Sequence, residues 1–188
     1  MGCWGITAMQ SDDGLDTVEF IRGCLPKDGK LELSAIIQSL LQDEWNRPSE
    51  VTDGQPHTSP MALAEIMVKF LEHDLGSLDH DVGPHMRQNE FSTVTSFTAT
   101  KESIQWIRNY IADTLRYSRR NAQMESQDRK WGGWFKEENW VGWQEHMTYL
   151  VGCLDVLLSS VGSQVELVNM KDQECIPIGQ EISWDMNT

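Results

Sequence analysis

Apolar positions recur at helical spacing in several stretches of the chain, separated by polar segments rich in Pro, Gly, Ser and Thr. The stretch "SDDGLDTVEFIRGCL" offers Ser11 or Asp12 as an N-cap, acids in its first turn, and Leu15, Val18 and Ile21 as an apolar stripe that Pro26 closes. "LELSAIIQSLLQDEW" sets Leu33, Ile36, Ile37, Leu40 and Leu41 on one face, a pattern that predicts an amphipathic helix. After an aperiodic loop over 46–59, Ser59 and Pro60 form a helix start, Leu63, Ile66, Met67, Phe70 and Leu71 form its stripe, and Gly76 is the predicted stop. Residues 76–90 read as a polar loop. "FSTVTSFT" reads as a short strand, because β-branched and aromatic residues alternate with polar ones.

Thr98 or Thr100 then caps a long helix with the stripe Ile104, Ile107, Tyr110, Ile111 and Leu115. A last helix runs from about Trp140 to Leu158, with Trp143, Met147, Leu150, Val151, Leu154, Leu157 and Leu158 facing the core. Beyond it, "QVELVNM" and "CIPIGQEISW" read as extended segments, as a hairpin or a tail. The expected fold is mainly α: a four- to five-helix bundle with short extended segments near 91–98 and at the C-terminus. The expected division is a helical domain over 1–162 and a C-terminal extended segment over 163–188.

Composition narrows the function classes. Eight Trp and nine Met supply core volume that an apolar fraction of 39% understates. A formal charge of -14 repels nucleic-acid phosphates and anionic lipid, and it favours a protein partner, itself basic. No apolar stretch approaches a membrane span, and no cationic segment with an apolar run precedes the first helix, so a soluble cytoplasmic protein is expected. Cys3, Cys24, Cys153 and Cys175 show no C-x-x-C spacing and read as structural thiols. Gly2 and Cys3 suggest acylation, but the lipidation motif wants Ser or Thr where Ile6 stands, and the acids from Asp12 to Glu19 oppose an anionic leaflet.

Charge is uneven along the chain. Residues 101–136 hold eight Lys or Arg against four acids, a local +4, while the flanking parts are acidic. Arg108, Arg116, Arg119 and Arg120 are expected to pair with acids on neighbouring helices; the competing reading is an anion or nucleic-acid contact strip, which requires free guanidinium groups.

Two clusters carry candidate chemistry. His73, Asp74, His80 and His85, with Asp79 and Asp81 among them, are the residue types that bind zinc, manganese or iron; as a site for a divalent metal they would make the chain a metal-dependent hydrolase, and otherwise they form a turn. Trp131, Trp134, Trp140 and Trp143 crowd one short stretch with Phe135. They suit either an interaction surface or the closure of one end of the bundle, with Gly132 and Gly133 allowing the turn. Glu138, Glu145 and His146 beside them could form an acid/base pair. No nucleophile elbow, phosphate loop, zincin motif or dinucleotide fingerprint is present, so nothing specifies an enzyme or a cofactor.

The opening "MGCWGITAMQSDDGLDTVEF" resembles the start of a bacterial domain family of unknown function. Its members begin Met-Gly-x-Trp-Gly and continue with an Asx-Asp pair and a helix of the Ala/Gly-Leu-Asp type. The matching positions are Gly2, Trp4, Gly5, Asp12, Asp13, Leu15 and Asp16. The resemblance implies a helical protein with no established chemistry; some members look like neighbours of toxin systems, which implies an immunity-type inhibitor. A non-enzymatic acidic interaction protein is therefore the first expectation and the metal-dependent hydrolase the alternative. Gly2 and Gly5 are expected to permit close backbone approach and Trp4 to be buried against the first helix or the Trp-rich end.

Overall fold

The computed structural model describes residues 2–52, 58–79, 89–123 and 134–168. Among them the fold is mainly α. A 3-10 turn, Ala8–Gln10, leads into α1 (Asp12–Gly23), followed by β1 (Lys30–Glu32), α2 (Leu33–Gln42), α3 (Thr58–Leu71), the single turn α4 (Gly76–Asp79), β2 (Ser96–Thr100), α5 (Lys101–Gln123), α6 (Trp140–Ser159) and β3 (Gln164–Glu166). Ser11 caps α1 by accepting the Gly14 N–H at 3.1 Å, and Thr100 caps α5 by accepting the Ser103 N–H at 3.1 Å.

α3 is the axis of the core. Every residue from Thr58 to Val68 is buried, so this helix has no wet face, and Met61, Glu65 and Val68 fill the side opposite the expected stripe. α1, α5 and α6 all pack against it, and α5 and α6 pack against each other. Beneath the sheet, Phe70 meets Phe97 edge to face with ring centroids 4.9 Å apart, and Phe91 at 6.4 Å.

The sheet has the order β1-β2-β3, with β1 parallel and β3 antiparallel to β2. Leu31 pairs with Phe97 and both are buried, while Val165 pairs with Ala99. Gly29, at φ 72°, turns the chain into β1, a strand that the hydrophobic pattern did not announce. Of the two expected extended regions, residues 91–93 form a 3-10 turn and the strand begins at Ser96; "QVELV" supplies β3, and "CIPIGQEISW" lies outside the described residues. Lys101, at the start of α5, donates its ammonium to the carbonyls of Leu157, Leu158 and Ser160. It thereby closes the C-terminal end of α6 from another element.

Three local expectations are corrected. Leu15 lies on the wet face of α1, because Gly14, Thr17, Val18 and Ile21 form the buried one; Leu41 is likewise exposed. α3 stops before Gly76: His73 takes the left-handed conformation at φ 56°, its N–H bonds to Phe70 O, and Asp74 N–H bonds to Lys69 O. That is a Schellman stop with histidine in the place glycine usually holds. No disulfide forms among the described cysteines. No helix among the described residues is long and apolar enough to cross a membrane.

Candidate functional site

The N-terminal segment is held down by polar groups that come from far along the chain. Gly2 O accepts Asp12 N–H, Trp4 N–H donates to Gln10 O, and Cys3 bridges Ser11, so residues 2–4 run antiparallel to 10–12. Gly5 O accepts both the Trp134 indole N–H at 2.7 Å and the Asn139 amide at 3.1 Å. A Cβ on Gly5 would strike the Gln10 side chain, and one on Gly14 would lie 1.9 Å from Ala8 O, so two glycines set how closely this segment approaches α1.

Glu65 completes the anchor. It is the lone acid in the apolar run "SPMALAEIMV" of α3, and a buried carboxylate needs partners. Its Oε1 accepts Ala8 N–H at 2.7 Å and its Oε2 accepts Met9 N–H at 3.2 Å, neutralising the N-terminal end of the 3-10 turn. His146 Nε2 lies 2.8 Å from Oε1. With backbone donors on both oxygens Glu65 acts as an acceptor, so the imidazole donates its Nε2–H to Oε1. His146 therefore pairs with an acid 81 positions away and not with Glu138 or Glu145 beside it. A break in an otherwise apolar helix was the sequence signal for Glu65.

This pair borders a cleft of about 380 Å³ that also takes in Lys69, Glu72 and Tyr149. Tyr149 donates to Glu72 Oε1 at 3.0 Å. Burial, with Cys153 and Glu72 nearby, pushes its hydroxyl far up, so it stays protonated. Asp74 is bound by Lys69 at 2.6 Å; that contact and a hydrogen bond from Ser77 hold its carboxyl below the usual range. Of the expected metal ligands, His73 serves as the exposed stop of α3 and Asp74 is thus engaged by Lys69; His80 and His85 lie outside the described residues. No group of three or more metal-binding side chains forms among the described residues.

The Trp-rich end is packed. Trp134 and Trp143 are buried and stacked with centroids 5.7 Å apart and planes 14° from parallel, and the half-buried Trp140 stacks on Trp143 at 5.3 Å. Trp131 lies outside the described residues. Two of the indoles expected to line an interface are therefore out of a partner's reach.

Trp4 reaches solvent, 53% exposed against the expectation that it is buried, and Trp45 beyond α2 is more exposed still. Neighbouring side chains of an extended segment point to opposite sides, and Cys3 takes the inward one. Along α1, Asp12, Leu15, Asp16 and Glu19 share one exposed face at helical spacing, with Asp13 beside it. Glu19 pairs with Arg22. Burial, then repulsion from Asp16 and Asp12 against the attraction of the N-terminal amine, pushes the Asp13 carboxyl up. The face is thus a set of carboxylates with Leu15 among them, beside the N-terminal segment that carries Trp4.

The basic helix departs from its expectation as well. Among the described residues, Arg108 alone of the four pairs with an acid on a neighbouring helix, Asp155 at 2.8 Å. Arg116 bonds Asp113 on its own helix at 2.7 Å, Arg119 donates to the neutral Gln144 Oε1, and Arg120 makes no ion pair among the described residues.

No family model, no curated protein and no solved structure matches this chain.

Proposed function

We propose that this protein is a non-enzymatic interaction protein that docks a basic protein partner on the face carrying Trp4 and the α1 carboxylates. Its narrower form is an immunity-type inhibitor of a basic enzyme. The observation that carries the reading is Trp4: a half-exposed indole whose backbone is pinned on both sides, by Gln10 and through Gly5 by Trp134 and Asn139. Holding an aromatic anchor rigid before binding lowers the ordering cost of association. Tryptophan is among the residues most enriched at interface hot spots. Asp12, Asp13 and Asp16 repel one another, and a cationic surface relieves that repulsion while steering encounter. The Met-Gly-x-Trp-Gly resemblance supports the same choice, since the residues it shares are those of this face.

Affinity capture from the source cell with the wild type, Trp4→Ala and Asp16→Lys tests it. A basic partner that the wild type retains, moderate salt releases, Trp4→Ala weakens and Asp16→Lys loses is the expected result. A partner held equally by Asp16→Lys, or one of acidic charge, overturns it. The inhibitor form requires that the captured enzyme lose activity when the wild type is added and keep it with Asp16→Lys.

A further inference from the structure

A second surface has the opposite sign. Between the C-terminal half of α5 and the middle of α6 lies an open cleft of about 460 Å³, a size that admits a small molecule. Arg116, Arg119 and Arg120 border it with Gln123, and Leu115 and Val151 form its apolar floor. Asp113 answers one of the three guanidinium groups; Arg119 has only an amide oxygen and Arg120 no carboxylate among the described residues. A helix C-terminus attracts cations, but it carries about half an elementary charge, less than the two guanidinium groups without a carboxylate among the described residues. In a chain of net charge -14, that local excess is not a sample of the general surface.

We propose that this cleft binds a small organic phosphate, with the phosphate on Arg116, Arg119 and Arg120 and an apolar body on Leu115 and Val151. A phosphate monoester carries about -1.5 to -2 at neutral pH, which matches two guanidinium groups that meet no carboxylate among the described residues, where a single carboxylate does not. Planar guanidinium forks suit phosphate oxygens in pairs. Nucleic acid fits less well: a chain of phosphates running past the cleft meets the exposed carboxylate of Glu145, and beyond a Debye length of about 8 Å it meets the acidic remainder of the molecule. The site lies on α5 and α6, whereas the proposed docking face lies on α1 and the N-terminal segment, so the two stand or fall separately.

Calorimetric titration at low salt with phenyl phosphate and inorganic phosphate tests the proposal. Saturable binding is expected, several-fold tighter for phenyl phosphate, and weakened at least about tenfold, or 1.4 kcal/mol, by Arg119→Gln with Arg120→Gln. Arg120→Gln alone, which removes no ion pair among the described residues, gives a smaller loss in the same direction. Arg108→Gln, whose partner is Asp155, leaves binding unchanged. These positions are exposed or half-exposed, and unchanged thermal midpoints certify the variants. Absence of saturable phenyl phosphate binding up to about 10 mM overturns the proposal. So does equal binding by the double variant, or tighter binding of a short single-stranded oligonucleotide than of phenyl phosphate.

Discussion

Glu65 lies 2.8 Å from His146 across the α3–α6 contact, and the same carboxylate receives the backbone of Ala8 and Met9. One buried acid thereby fastens three separate parts of the chain. Glu65→Gln keeps the volume but turns an amide toward donors. It should destabilise the fold by about 2–3 kcal/mol, the cost of losing charged hydrogen bonds in the interior. Urea denaturation measures this; a change within experimental error would make the anchor incidental.

Gly14 and Gly152 offer an internal contrast. A Cβ at Gly14 meets the Ala8 backbone oxygen, whereas one at Gly152 finds nothing within 4 Å. Gly14→Ala should cost about 3 kcal/mol or more through displaced backbone. Gly152→Ala should stabilise α6 by about 0.5–1 kcal/mol through helix propensity. Thermal midpoints that move in the same direction for both would contradict the close packing of the N-terminal segment.

At the end of α3, His73→Gly removes a Cβ from a left-handed residue at φ 56°. A gain of about 0.5–1 kcal/mol is expected, since the Schellman bonds are made by backbone and survive. A loss of stability would mean that the imidazole itself contributes.

Asp13 has its carboxyl raised above its usual value of 3.8. A raised acid holds its proton longer folded than unfolded, so its ionisation works against the fold. Relative to Asp13→Asn, the wild type should lose stability as pH rises from about 3 to 6. Denaturation midpoints of the two proteins across that range give the difference directly, and parallel curves would show that neither burial nor the neighbouring carboxylates raise this acid.

The parts of the fold legible in the sequence were those with two distinct faces. α2, α5 and α6 have one apolar stripe each, and their stripes are the buried residues, apart from such edge positions as Leu41. α3 announced itself as a helix but not as the axis of the core, because burial on every side erases the periodicity that distinguishes in from out. β1 is three residues long, too short for alternation to register, and its parallel pairing with β2 depends on Phe97 lying 66 positions away. The anchoring of the N-terminus was half visible: "MGCWG" suggested close backbone approach, and Gly5 provides it, but the direction of Trp4 was set by Cys3 turning inward. The Glu65–His146 pair joins positions 81 apart, a relation that no local pattern encodes.

Biosynthesis gives the closure of the N-terminus a timetable. The groups that hold Gly5 O come 129 and 134 residues later, on Trp134 and Asn139. At about 5–20 residues per second, the ribosome delivers them on the order of ten seconds after the segment they secure. During that interval α1 and α3 can meet and residues 2–4 can pair with 10–12, but the two side chains that bind Gly5 O are still to come. The side-chain closure over Gly5 is therefore among the last steps of the fold to become possible.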